Sequence, residues 1–162
     1  NRQIIFVPDR NLAHFVSRRT KDKEIIPFAG FCPTHERVAV ADVEAARAAR
    51  PGALVLVHPE CTPAVVDAAD FAGSTAQIID YVGKSAHDEF IIGTEQGILH
   101  RLTKLNPGKR FWLLSPRLFC VNMKKTGLDD VAHALETMTN AIELDDETLR
   151  KAALCLDRML KV

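Results

Sequence analysis

Two kinds of hydrophobic pattern alternate along this chain. Short runs of consecutive apolar residues are typical of buried β-strands, and apolar residues that recur every three or four positions are typical of amphipathic helices. The strands predicted in this way lie at residues 4–7, 24–28, 53–57, 71–72, 89–93 and 111–114. The predicted helices lie at residues 11–19, 41–50, 63–69, 73–82, 95–105, 128–140 and 145–160.

This alternation predicts an α/β fold. The run from Ala53 to Val57 is apolar at every position, as expected for a strand that is covered on both faces. Strands that alternate with helices of about ten residues indicate parallel sheets with helices on both faces. We therefore predict three-layer α/β/α repeats with short parallel sheets, followed by C-terminal helices after Pro116.

Charge and composition narrow the class of protein. The 21 basic and 21 acidic residues cancel, so the chain offers no excess of positive charge to a nucleic acid or a membrane surface. No apolar run approaches the roughly 18 residues of a membrane span, and no signal-peptide pattern is present. With 47% apolar residues to form a core, the sequence predicts a soluble, cytoplasmic protein with neither a nucleic-acid nor a membrane partner.

The cysteines are the first candidates for chemistry. Cys32, Cys61, Cys120 and Cys155 are spread along the chain without a Cys-x-x-Cys pair, which excludes a self-contained zinc knuckle. They remain candidates for buried packing, for a reactive thiol, or for ligands that meet only in the folded protein. His35, three residues after Cys32, has a spacing that suits a shared metal, but a loop histidine is expected to be solvated.

Further candidates follow the predicted strands, where ligands bind in parallel sheets. His58 and Glu60 come directly after residues 53–57 and have the residue types of an acid–base pair, or else form a hydrogen-bonded turn. Gly73-Ser74-Thr75 suits a carboxylate or phosphate, because two hydroxyls accompany the N–H groups of a helix start. Serine and threonine are equally ordinary helix caps.

Six segments carry a resemblance to a known family. They are Phe-Val-Pro-Asp-Arg-Asn-Leu (6–12), Gly-Phe-Cys-Pro-Thr-His (30–35), Val-His-Pro-Glu-Cys (57–61), Asp-Phe-Ala-Gly-Ser-Thr-Ala-Gln-Ile-Ile (70–79), Phe-Ile-Ile-Gly-Thr-Glu-Gln-Gly (90–97) and Cys-Val-Asn-Met-Lys-Lys (120–125). In this order they resemble quinolinate synthase, the iron–sulfur enzyme of bacterial and archaeal NAD biosynthesis. The resemblance covers essentially the whole chain.

The resemblance implies an architecture and a reaction. The family arranges three α/β domains with pseudo-threefold symmetry around a [4Fe–4S] cluster, and each domain gives one cysteine. The fourth iron stays open and acts as a Lewis acid. The family is a transferase that condenses iminoaspartate with dihydroxyacetone phosphate to quinolinate, with release of phosphate and water. An L-aspartate oxidase is the implied functional partner.

The resemblance also assigns the cysteines. By motif, Cys32 and Cys120 correspond to two of the cluster ligands. Cys61 lies outside the implied ligand set and is interpreted as incidental, and Cys155 is expected to pack within the terminal helix.

The resemblance also implies a substrate site. His58 and Glu60 resemble the active-site pair of the family, which transfers protons and binds substrate. Ser74 and Thr75 resemble the helix-start hydroxyls that hold a substrate carboxylate or phosphate.

The family pattern divides the chain into three parts. Residues 1–40 correspond to the C-terminal half of the second domain, 41–117 to the third domain, and 118–162 to the cluster-ligand loop and terminal helices. The first domain, with the third cluster cysteine, is expected to precede Ile4. We therefore expect the chain alone to be inactive and to expose apolar surface.

Two other functions compete with this interpretation. One is a non-enzymatic α/β module that binds a small carboxylate or phosphate at Gly73-Ser74-Thr75, although the chain has no glycine-rich nucleotide signature. The other is a thiol enzyme that uses Cys32 with His35.

Overall fold

The computed structural model describes residues 2–161 and confirms the α/β class. The strands are β1 (Gln3–Phe6), β2 (Glu24–Pro27), β3 (Leu54–Val57), β4 (Phe71–Ala72), β5 (Glu89–Gly93) and β6 (Arg110–Leu113). The helices are α1 (Arg10–Ser17), α2 (Pro33–Glu36), α3 (Val40–Ala49), α4 (Pro63–Ala68), α5 (Thr75–Lys84), α6 (Ile98–Leu105), α7 (Leu128–Thr137) and α8 (Asp146–Leu160). A 3₁₀ turn spans Asn122–Lys124.

The strands form two parallel sheets. β1 pairs with β2 in a two-stranded sheet, in the register Gln3 opposite Glu24. The larger sheet has the order β4-β3-β5-β6, and each neighbouring pair is parallel. The carboxyl ends of its strands therefore all lie at one edge.

The larger sheet is covered on both faces, as the three-layer prediction required. Alternate residues of β3 point to opposite sides, so Val55 and Val57 pack in the core formed with α3 and α4. Leu56 packs in the core formed with α5 and α6. Each of these three side chains is fully buried, which contributes about 1.5–3 kcal/mol per residue relative to exposure.

Three predicted boundaries are wrong for local reasons. α6 begins at Ile98 rather than at residue 95, because the carboxylate of Glu95 accepts the N–H of Gly97 at 2.8 Å and holds a tight turn. The segment expected to be a loop after Cys32 forms the one-turn helix α2, which starts with Pro33 in its favoured first position. α7 ends at Thr137 because Met138 adopts a positive φ.

The chain divides into two compact units, residues 2–120 and 121–161. The second unit contains α7 and α8, neither of which has a buried residue. Cys155 is exposed and no described residue of α8 is buried, so the expectation that it packs is wrong. The domain boundaries after residues 40 and 117 stay predictions.

Large apolar side chains are exposed along the second unit, in line with the expectation of apolar surface. They are Val121, Met123, Leu128, Val131, Leu135, Met138, Ile142, Leu144, Leu149, Leu154, Leu156, Met159 and Leu160. Among residues 2–161, no helix combines the length and the apolar character needed to cross a membrane.

Candidate active site at the carboxyl edge

Side chains from the segments after two strands converge near the ends of those strands. Cys32 and His35 follow β2, and Glu60 follows β3. One ligand atom from each residue, the cysteine sulfur, a ring nitrogen and a carboxylate oxygen, lies within 4.8 Å of the other two. Cys32 and His35 are distant in sequence from Glu60, so it is the packing of the segments after β2 and β3 that brings them together.

Asp9 holds the Cys32 loop in place. It follows β1 and caps α1, because its Oδ1 accepts the N–H of Leu12 at 2.8 Å. Its Oδ2 accepts the N–H of Cys32 at 2.7 Å, and the Asp9 side chain is buried. One carboxylate therefore fixes the start of a helix and the backbone of a candidate metal ligand.

His35 is buried, with 6% of its surface exposed, so the expectation of a solvated loop histidine is wrong. The turn of α2 directs its ring inward, where Nε2 lies 3.0 Å from the hydroxyl of the buried Thr94. Its Nδ1 lies 3.0 Å from Oε2 of Glu60. Nδ1 is within ion-pair distance of this carboxylate oxygen but makes no regular hydrogen bond within the described residues. We therefore treat the contact as electrostatic.

His58 stacks on His35, with ring centroids 4.8 Å apart. Its Nδ1 accepts the backbone N–H of Glu60 at 3.2 Å, which places the proton of the neutral ring on Nε2. Burial lowers the pKa of His58, and the nearby His35 lowers it further, against the opposing effect of Glu60 and Asp9. His58 is therefore neutral around neutral pH.

Glu60 is ionised in the same cluster. The close approach of His35 is the largest cause that lowers the pKa of its carboxyl, with further contributions from His58 and Cys32. Burial opposes them, since it raises the pKa of a carboxyl group. The backbone carbonyl of Glu60 is held at 3.0 Å by the side-chain amide of Asn11. A fixed carboxylate therefore stands beside a neutral imidazole.

The structure distinguishes two other cysteines. Cys61 is fully buried, its thiol faces the carbonyl of Gly93 at 3.6 Å, and burial raises its pKa to about 12. Cys120 is partly exposed and lies two residues after Leu118, whose carbonyl accepts the N–H of Gln96 at 2.9 Å. This bond ties the Cys120 loop to the turn after β5. No disulfide joins any of the four cysteines.

Ser74 and Thr75 begin α5 at the carboxyl edge of the larger sheet. The N–H of Gly73 donates to the carbonyl of Val57 at 3.1 Å, so this helix start lies next to the end of β3. Ser74 and Gln77 form a capping box, in which each side chain accepts the backbone N–H of the other. The geometry is that of an ordinary cap, and the anion-binding role of these hydroxyls stays a prediction.

Comparison with known proteins identifies the family. A family model described as quinolinate synthetase A protein matches residues 1–161. The chain belongs to this family. A quinolinate synthase of Alkaliphilus metalliredigens is 51% identical over 160 residues, which cover 99% of this chain and 53% of that protein. One from Caldicellulosiruptor bescii is 49% identical over 162 residues, covering 100% and 54%, and one from Methanoregula boonei is 51% identical over 158 residues, covering 98% and 52%. The chain thus spans about half the length of the curated relatives it matches.

In this member of the quinolinate synthetase family, the side chains after β2 and β3 include donor atoms that suit a thiolate-bound metal centre. Cys32, His35 and Glu60 form a possible metal site, and Cys120 supplies a second partly exposed thiol. The sequence analysis did not identify Asn11, which binds the backbone carbonyl of Glu60, or Thr94, which contacts the ring of His35. Both lie inside the segments that carried the resemblance, 6–12 and 90–97, but neither has a residue type that signals a ligand.

Proposed function

We propose that this chain carries part of the active site of a quinolinate synthase and serves NAD biosynthesis. The observation that carries the proposal is that Cys32 and His58 both lie close to Glu60 in a chain of this family. The complete enzyme, a transferase, would condense iminoaspartate with dihydroxyacetone phosphate to quinolinate and release phosphate and water. An L-aspartate oxidase would supply the iminoaspartate.

Cys32 and Cys120 would hold a [4Fe–4S] cluster, with a third cysteine from outside this chain. When bound, the cluster supplies an iron with an open position that acts as a Lewis acid. Partial exposure of both thiols supports this assignment, because a cluster can reach them. Cys61 does not suit this role, since its thiol stays protonated with a pKa of about 12.

His58 and Glu60 would move the protons of the reaction. Condensation and loss of water need a base that takes a proton from carbon and an acid that gives one to the departing hydroxyl. Glu60 is ionised, so we assign it as the acceptor. His58 is neutral and carries its proton on Nε2, so we assign it to donate a hydrogen bond to the departing hydroxyl, which receives the proton that Glu60 has taken up.

Ser74 and Thr75 would bind a carboxylate or phosphate of the substrates. The N-terminal turn of a helix attracts anions through its N–H groups, and α5 begins one strand away from His58. Ser74 is partly exposed and Thr75 is exposed, so both hydroxyls are accessible.

The cluster assignment is tested in the full-length protein, purified without oxygen. Cys32→Ser and Cys120→Ser should each lose iron, sulfide and turnover, because a thiolate ligand is removed. Cys61→Ser and Cys155→Ser are the matched controls and should retain the cluster. Equal loss of iron in all four variants would show that the assignment is wrong.

A further inference from the structure

The buried ring of His35 is not used by the proposed reaction. Its Nε2 lies 3.0 Å from the Thr94 hydroxyl, which can donate a hydrogen bond to the ring or accept one from it. The opposite nitrogen, Nδ1, lies 3.0 Å from Oε2 of Glu60. A proton or a metal cation can lie between these two atoms, and with a metal on Nδ1 the ring carries its proton on Nε2 and donates a hydrogen bond to Thr94. Nδ1 has no hydrogen-bond partner among the described residues.

Cys32 completes a donor set around the same point. Its sulfur, a ring nitrogen of His35 and a carboxylate oxygen of Glu60 all lie within 4.8 Å of one another. Tetrahedral Zn²⁺ with its usual bond lengths sets such donors about 3.3–3.6 Å apart. Adjustment of the side chains by about 1 Å therefore suffices. A thiolate and a carboxylate also neutralise the charge of a divalent ion.

Hydrogen bonds outside the donor set fix all three donors. Thr94 orients the ring of His35 through Nε2, and Asp9 holds the backbone N–H of Cys32. Asn11 binds the backbone carbonyl of Glu60. Metal-binding histidines commonly use the second ring nitrogen in this way, and such support maintains affinity for the ion.

We propose that this chain binds one borderline divalent ion such as Zn²⁺ through Cys32 Sγ, His35 Nδ1 and the Glu60 carboxylate, with a fourth position left to water. This site goes beyond the proposed function, because it needs a single ion and the residues of this chain alone. Zn²⁺ binds nitrogen and sulfur donors more tightly than Fe²⁺. A bound zinc ion therefore competes with cluster loading at Cys32.

Cobalt(II) is the probe for this site, titrated without oxygen into the reduced, metal-free 162-residue chain. One Co²⁺ should bind per chain, with a thiolate charge-transfer band and the visible bands of a four-coordinate ion, and Zn²⁺ should displace it. Cys32→Ser should lose the charge-transfer band. Cys120→Ser and Cys155→Ser, as matched controls, should retain it.

Further variants test the nitrogen and its support. His35→Gln keeps an amide nitrogen close to the Nε2 position but lacks a donor at Nδ1, so the affinity for Co²⁺ should fall at least tenfold. Thr94→Val should weaken binding by about 10–100-fold while the thiolate band persists, and Thr94→Ser should restore it. Far-ultraviolet circular dichroism checks that each variant is folded.

Two results would overturn the site. One is a folded chain that binds no Co²⁺, and the other is a charge-transfer band that survives in Cys32→Ser. Competition is measured separately in the cluster-free full-length protein, where one equivalent of Zn²⁺ should reduce iron incorporation during reconstitution. Glu60→Gln keeps every cysteine and should relieve this inhibition. Normal cluster loading in the presence of Zn²⁺ would refute the competition and leave the cluster assignment intact.

Discussion

Glu60 and His58 are adjacent on one turn but have different charge states. The nearby His35 keeps the Glu60 carboxyl ionised, whereas burial keeps the ring of His58 neutral. Nδ1 of His58 and Oε2 of Glu60 are 3.7 Å apart, so each influences the other. Environment, rather than residue type alone, therefore assigns Glu60 as the proton acceptor and His58 as a neutral hydrogen-bond donor.

Glu60→Gln tests the acceptor. The amide has nearly the same shape as the carboxylate but cannot take a proton at neutral pH, so turnover of the full-length enzyme should fall about a hundredfold or more. Iron and sulfide should stay at the level of the unchanged enzyme, because no thiol is removed. Normal turnover would remove Glu60 from the mechanism.

The lowered pKa of His58 predicts a pH dependence of stability. As the pH falls below 6.5, the unfolded chain takes up a proton at His58 before the folded chain does, so the free energy of unfolding decreases until the folded pKa is passed. Glu60 affects the free energy of unfolding at lower pH. The stabilisation that comes from its lowered pKa is lost as the pH falls from 4.5, the value in the unfolded chain, toward the pKa in the folded chain.

The measurement for this prediction is urea unfolding at a series of pH values. His58→Asn offers an oxygen to the N–H of Glu60 but does not titrate, so its stability should change less with pH just below 6.5. An identical pH dependence in both proteins would contradict the proposed burial of a neutral ring.

At the scale of the element, the start of α5 is tightly packed. A Cβ atom at Gly73 would lie 2.7 Å from the ring of Phe71 and 3.0 Å from Cβ of Gln77. The ring of Phe71 cannot swing away easily, because it stacks on Tyr81 with centroids 4.5 Å apart. Glycine at this position therefore lets the helix begin beside the end of β4.

Gly73→Ala should destabilise the chain by about 1–3 kcal/mol, the usual cost of overpacking. Gly83→Ala lies in the same helix with no atom within 4 Å of the new Cβ, and should stabilise it by about 0.4–1 kcal/mol. Thermal or urea unfolding of the two variants measures both effects. Similar stability of both variants would mean that Gly73 is not constrained by packing.

At the scale of the whole molecule, the sequence predicted the parts that depend on local pattern. Apolar runs gave every strand, and the six motifs gave the family. The burial of His35 could not be predicted, because it depends on Thr94, which lies 59 residues further along the chain. The support from Asn11 was missed for the same reason, since its contact with Glu60 spans 49 residues.

The two sheets position different residues of the site and differ in stability. β2 of the smaller sheet leads to Cys32, and β3 of the larger sheet leads to Glu60. β3 and β5 are central, largely buried strands, whereas three of the four residues of β1 are exposed and its sheet has two strands within residues 2–161. Two-stranded sheets are marginal by themselves. Backbone amides of β1 and β2 should therefore exchange with deuterium faster than those of β3 and β5. Opening of this small sheet would carry Cys32 away from Glu60, so the distance between these two side chains should fluctuate more than the positions of His58 and Glu60, which follow the buried strand β3.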